Sequence, residues 1–278
     1  MNIQYVILCG LATGAAMTIP GVSGGTAAML LGIYDKLIRA VSRIFTEPKK
    51  SIPLLLKFGA GAAIGTLLVA RLISFLLTTP LEIPLRFLFL GAVAGGIPVI
   101  FRHADIKRLT PRGTALILTG AAAVILLSLL PEGLFSPGQS GFTGLLLQFA
   151  GGLLLAAALV LPGISASHFL YMLGIYDTVM DRLGSLELLP LLPMGAGLAA
   201  GAFLTARLLE RLIERHKSGT FMVILGFMLA SLRELIPSGA DGVQLLTGAV
   251  CAVVGFAAVY WIQTERRPRR SPAEKKSG

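Results

Sequence analysis

Long apolar stretches separated by short breaks rich in Gly, Pro, Lys or Arg set the pattern of this chain. Stretches at about 52–77, 85–101, 114–130, 188–209, 220–236 and 243–262 approach or reach the ~20 apolar residues that a helix needs to cross a bilayer, and each predicts a spanning helix. Two shorter apolar stretches, 5–19 and 26–38, flank Pro20-Gly21, a pair that stops a helix. Arms of about 15 residues are too short to cross a hydrocarbon core of about 30 Å. The pair therefore predicts a re-entrant helical hairpin with its turn buried against protein. A second hairpin is expected over about 142–180. Glycines spaced four apart, Gly10 with Gly14 and Gly61 with Gly65, predict close helix packing.

The pattern occurs twice. Pro20-Gly21-Val22-Ser23-Gly24-Gly25-Thr26 with Gly32-Ile33-Tyr34-Asp35 returns as Pro162-Gly163-Ile164-Ser165-Ala166-Ser167-His168 with Gly174-Ile175-Tyr176-Asp177, at one offset (162 − 20 = 142). Gly59-Ala60-Gly61, Gly65 and Arg71 match Gly195-Ala196-Gly197, Gly201 and Arg207 at another (207 − 71 = 136). Charge orients the copies, because Lys and Arg gather on the cytoplasmic side. The loop after the first motif carries Lys36, Arg39, Arg43, Lys49 and Lys50, whereas its counterpart carries Asp177, Asp181, Arg182 and Glu187. Likewise 102–112 is basic and its counterpart 233–241 is nearly balanced. Basic loops thus meet non-basic counterparts, which predicts two inverted repeats, each a re-entrant hairpin plus three transmembrane helices. The expected organisation is one membrane domain over 1–263, with repeat 1 at about 1–133 and repeat 2 at about 142–263. A basic tail follows at 264–278, and both termini are expected to be cytoplasmic.

Composition agrees with an all-α polytopic membrane protein: of 278 residues, 55% are hydrophobic and 14% charged, too few charges for the surface of a soluble protein of this length. The net charge of +10 does not call for nucleic acid, because the basic residues lie in short loops and in the tail. Cys9 and Cys251 fall inside apolar stretches and predict no disulfide. Neither a metal nor a cofactor is expected, and the oligomeric state is not legible.

Candidate chemistry collects at the two motifs. A helix beginning at Ser23, Gly24, Gly25 and Thr26 presents free backbone amides, two hydroxyls and a positive end, a setting for phosphate or carboxylate. The plainer reading is that Pro-Gly makes the turn and the glycines let it pack; two copies in opposed orientation favour a site. Ser165, Ser167 and His168 give the second copy hydroxyls and a titratable group, His168 being a candidate proton carrier or simply a satisfied histidine. Arg71 and Arg207 occupy equivalent positions in apolar segments, where a guanidinium faces a wet cavity, snorkels or pairs, and is well suited to phosphate. Asp35 and Asp177 close the motifs as candidate coupling groups or plain interfacial carboxylates. Tyr34 and Tyr176 are expected to anchor at the headgroups.

These motifs, Pro-Gly-Val-Ser-Gly-Gly-Thr with Gly-Ile-Tyr-Asp and the looser second copy, resemble the bacterial polyprenyl-phosphate transporter family over residues 1 to about 263. The resemblance implies a flippase that returns undecaprenyl phosphate between leaflets of the cytoplasmic membrane, not an enzyme, with a polyprenyl-phosphate lipid as its partner. The residues alone support an anion site in an inverted-repeat transporter. That leaves a carrier of a small soluble anion open, and less readily a lipid phosphatase, for which the histidines at 103, 168 and 216 are too scattered.

Overall fold

The computed structural model describes residues 3–18, 22–76, 78–106, 108–129, 141–164, 166–185, 187, 189–237, 239 and 241–265. Among these the regular structure is helical: α1 Ile3–Met17, α2 Gly24–Leu30, α3 Tyr34–Ser42, α4 Pro48–Leu76, α5 Glu82–His103, α6 Pro111–Ser128, α7 Phe142–Val160, α8 Ala166–Leu173, α9 Tyr176–Gly184, α10 Leu192–Leu235 and α11 Gly242–Glu265. Six of them, α4, α5, α6, α7, α10 and α11, are long and apolar enough to cross a membrane. Their outward faces are apolar as well: Leu67 is 77% exposed, Val253 68% and Leu126 65%. Surface of that kind is a liability in water and the ordinary contact with lipid. The chain is a multi-pass, all-α membrane protein. Pro20, Gly21, Ser165, the loop 131–140 and the tail beyond 265 lie outside the described residues.

Three elements differ from the expectation. The arm foreseen as one helix over 26–38 is two, α2 and α3, broken at Gly32. Gly32 takes φ 70°, its amide bonds Met29 O at 2.9 Å, and the Ile33 amide bonds Ala28 O at 3.1 Å. This is a Schellman turn, which needs a left-handed residue just past the helix and an apolar one after it. Gly174 (φ 69°) repeats it with Ile175 N to Leu170 O at 3.1 Å, so Gly-Ile in each motif is a helix stop. Second, α7 has 19 residues and is long enough to cross by itself, because nothing interrupts it before Leu161-Pro162-Gly163. Third, the spans expected at 188–209 and 220–236 form one helix of 44 residues bent at His216 (φ −137°, ψ 51°). Thr220 Oγ1 lies 3.0 Å from both His216 O and Leu212 O. Eight residues of straight helix would hold the second carbonyl about 12 Å away, so the bend is sharp and takes the place of a loop.

Glycines fix the helix packing and its register. Gly61 abuts Ile7 and Leu11, Gly65 abuts Leu11, and Gly14 abuts Ala62; an added Cβ at any of them would overlap the facing backbone. Contacts that advance together on both chains make α1 and α4 parallel. Gly197 on Phe149, Gly201 on Leu153 and Gly152 on Met194 make α7 and the first part of α10 parallel. These pairs coincide with those of the first half at the offsets read from sequence (149 − 7 = 142; 197 − 61 = 136). Since α1 and α4 run side by side in one direction, the chain between them must return through α2 and α3, and likewise through α8 and α9. The remaining helices cross between halves: Gly91 abuts Ala252, Gly95 abuts Phe256 and Gly255 abuts Leu88, while Gly226 abuts Ile117 and Gly120 abuts Val223. These contacts are reciprocal at a third offset (226 − 91 = 135; 252 − 117 = 135), the signature of a two-fold relation. They make α11 parallel to α5.

Candidate functional site

The first motif closes on the backbone of the second. Thr26, buried at 2% exposure, accepts a hydrogen bond from the Gly163 amide at 2.9 Å. Tyr34 Oη donates to Val160 O at 2.8 Å, and Ser23 Oγ stands 3.5 Å from Leu161 O, at the outer limit of a hydrogen bond. Val160 and Leu161 end α7, where carbonyls have no intrahelical partner, so two hydroxyls of one motif cap the helix of the other. Tyr34 is therefore no headgroup anchor: it is 3% exposed, because the turn at Gly32 aims the first residue of α3 inward at α7. Gly163 takes φ 83°, and an added Cβ would overlap the Phe227 backbone of α10. An added Cβ on Gly25 would stand 3.0 Å from the Pro162 backbone. Ser23 is the N-cap of α2 without a side-chain cap bond, and Gly24 lies under Met17.

The register places both candidate arginines level with these turns. Ile7 faces Gly61 and Leu11 faces Gly65, so Arg71 stands roughly level with Met17 at the end of α1 (71 − 54 = 17). Val22 packs in one cluster with Val69, Ile73 and Leu76, on either side of Arg71 in sequence. Arg71 itself faces outward from α4. Arg207 also faces outward, its guanidinium 5.8 Å from the Phe203 ring centroid, a cation–π contact, and Phe149 on Gly197 sets it near the level of Pro162. Asp35 is half-buried in the first turn of α3, where a carboxylate suits the positive helix end. Ser167 and His168 stand in α8 and Asp177 in α9, but their side chains lie outside the described residues, as does Ser165.

At one end of the bundle the basic loops converge, and ion pairs join the halves there. Arg43, after α3, contacts Glu210 at 2.7 Å and Glu214 at 3.2 Å, both in α10, and Glu47 at 3.4 Å. Lys50 holds Glu47 at 2.8 Å and Lys217 meets Asp105 at 3.6 Å. The bond and charge of Glu210 push Arg43 above the usual guanidinium value, and Lys50, then Arg43, pull Glu47 below the usual carboxylate value. Beside this network a cavity of about 710 Å³ is lined by Thr110, Arg112, Leu161, His216, Lys217 and Phe227, among others. Inverted hairpins are expected to meet near the membrane centre, but equal motifs at a fixed offset do not reveal which atoms touch. The cavity escaped the sequence reading because basic residues between apolar stretches served there only as topology signals.

Residues 13–249 match the VCA0040-like family model, undecaprenyl phosphate translocase-like. A protein of Staphylococcus aureus named polyprenyl-phosphate transporter is 31% identical over 264 residues, 90% of this chain and 92% of its own. One of Vibrio cholerae with the same name is 30% identical over 259 residues, 85% of this chain and 79% of its own. No solved structure matches.

Proposed function

This chain belongs to the undecaprenyl phosphate translocase-like family, and from that premise we propose that it is a flippase moving undecaprenyl phosphate between leaflets of the bacterial cytoplasmic membrane, in the service of carrier-lipid recycling. Support comes from the name shared by its two relatives and from a body whose outer faces suit lipid. The observation that carries the mechanism is the clasp, in which Thr26 of one half holds Gly163 of the other at the level of Arg71 and Arg207. The phosphate head passes through this region. Ser23, Gly24, Gly25 and Thr26 with Arg71 serve one approach, and Ser165, Ser167, His168 and Arg207 the other. The isoprenoid tail stays in lipid. Asp35, Asp177 and His168 are the groups that would couple transport to a proton or cation.

Helix directions support the inverted arrangement. The counterpart of α11 is α6, which follows α5 across the short connection 104–110 and so runs against it, while α11 runs with α5. Each half is read as a hairpin plus three crossings, an odd number, with α7, although long enough to cross, taken as the first arm of the second hairpin because α10 runs parallel to it. The two halves then expose related surfaces to opposite leaflets. The basic end is cytoplasmic, and with it both termini.

The test is leaflet exchange of labelled undecaprenyl phosphate in proteoliposomes of the full chain. Exchange should exceed that of protein-free vesicles and fall at least tenfold in Arg71→Gln, the loss expected for one charge-assisted phosphate contact of about 1.5–3 kcal/mol. Wild-type exchange no faster than in empty vesicles would sink the reading. Full exchange by the variant would remove Arg71 from the site.

A further inference from the structure

The cavity at the basic end lies between the start of α6 and the bend of α10, and its volume of about 710 Å³ is within the ~300–1,000 Å³ of small-molecule sites. Two kinds of wall meet in it. Arg112 and His216, both exposed, line it with Lys217, and half-buried Leu116, Leu161 and Phe227 form an apolar side. The positive-inside rule accounts for cations at this end of the molecule. It does not account for their meeting an apolar wall around one cavity.

Counterpart positions in the other half lack both features. Arg112 corresponds to Thr247 (247 − 112 = 135) and Lys217 to Glu82 (217 − 82 = 135). The Glu82 carboxylate is held by Arg86 at 2.9 Å. Leu209 and Ile224 of the cavity wall correspond to Ile73 (209 − 73 = 136) and Phe89 (224 − 89 = 135), which pack with Leu76 and Leu85 in one apolar cluster. The pairing of Arg112 and Lys217 with an apolar wall is thus not repeated at the counterpart positions.

The geometry points to a lipid phosphate-monoester site in this cavity, with the head between Arg112, His216 and Lys217 and the first isoprenoid carbons against Leu116, Leu161 and Phe227. It rests on the transport reading and adds to it a station for the lipid head on the basic side, separate from the clasp. Leu161 joins the two, since it lines the cavity while its carbonyl faces Ser23. Arg112 has the planar fork that a phosphate accepts bidentately. The present partner of Lys217 is Asp105 at 3.6 Å, with the Asp105 side chain 84% exposed. A pair so open to water is weak and yields to a dianion.

The experiment is equilibrium binding to the purified full chain, with undecaprenyl phosphate, undecaprenol and inorganic phosphate as separate probes, on wild type and on Arg112→Gln/Lys217→Gln. Both residues are at the surface, so the double variant should fold, as a thermal unfolding scan will verify. The expected result is at least a tenfold loss of affinity for undecaprenyl phosphate in the variant, no change for undecaprenol, and wild-type binding of inorganic phosphate far weaker than of the lipid. Leu116→Trp, which fills the apolar side, should weaken the two lipids alike. Unchanged binding of undecaprenyl phosphate by the double variant would overturn the cavity assignment while leaving the transport reading intact. Inorganic phosphate bound as tightly as the lipid would overturn the lipid head as occupant. Wild type that neither binds nor exchanges the lipid would overturn both.

Discussion

At the basic end, Arg43 reaches from the first half to Glu210 and Glu214 of the second, and Lys217 reaches back to Asp105. At the opposite end, Ile73, Leu76, Leu85 and Phe89 of the first half pack with Leu232 and Leu235 of the second around Val22 of the motif. One junction is ionic and bordered by a cavity; the other is apolar. The Lys217–Asp105 pair is open to water and contributes little, but the Glu210 carboxylate under Arg43 is only 10% exposed and is costly to leave unpaired, whereas separating packed apolar side chains exposes area at about 25 cal/mol per Å². A carrier that must open at each end in turn meets unequal resistance.

Substitutions at the packed side should therefore have the largest effect. Gly163→Ala adds a Cβ where the backbone is left-handed and Phe227 occupies the space. The left-handed conformation costs roughly 1–2 kcal/mol and overpacking about 1–3 kcal/mol, so at least ~2 kcal/mol of stability should be lost. The control is Gly195→Ala, a helical glycine with nothing within 4 Å of its added Cβ, which should be neutral or gain up to about 1 kcal/mol. Thermal unfolding in detergent compares the two. Equal midpoints would mean that the clasp is looser than its geometry.

Next in size is the hydrogen bond of the clasp. Thr26→Val keeps the shape and removes the acceptor of the Gly163 amide, leaving a buried donor unsatisfied at about 1–3 kcal/mol. Thr26→Ser should restore most of it, and Ser23→Ala, whose contact is 3.5 Å, should cost less than either loss. A Ser23→Ala effect as large as that of Thr26→Val would move the join from Thr26 to Ser23.

The same contrast marks what the sequence could reveal. Spans, the repeat and its glycine seams were legible because bilayer length and close approach leave periodic, single-residue traces, such as Gly61 and Gly197 at one offset. The break at Gly32 was written in Gly-Ile, yet an apolar run across it read as one helix, since hydrophobicity is blind to a left-handed residue. The bend at His216 falls in the break between 209 and 220, where Arg211, Arg215, Lys217 and Ser218-Gly219 stand, but composition does not tell a bend within one helix from a loop; Thr220 supplies the capping hydroxyl from within the following turn. Of the candidate site, the motif hydroxyls were visible and their partners were not. A contact between Thr26 and Gly163 depends on where two hairpins cross, which composition and spacing do not encode.

The smallest effect expected lies at the ionic end and depends on pH. Glu47 is held below the usual carboxylate value by Lys50 first and Arg43 second. A carboxylate with a lowered folded value contributes stability that is complete above its unfolded value of about 4.3. That contribution is lost as pH falls through the folded value, because only then does the native state take up the proton. Glu47→Gln should therefore lower the unfolding midpoint slightly at neutral pH, and the difference should shrink as pH falls through the folded value, where wild type takes up the proton. What changes at this position on acidification is the carboxylate. Salt screens such an exposed group, and the neutral-pH difference should shrink as ionic strength rises. A difference that grew on acidification would have the wrong sign for a carboxylate stabilised by its cations, and one indifferent to salt would mean that Glu47 acts by packing, which would erase the distinction between the two ends.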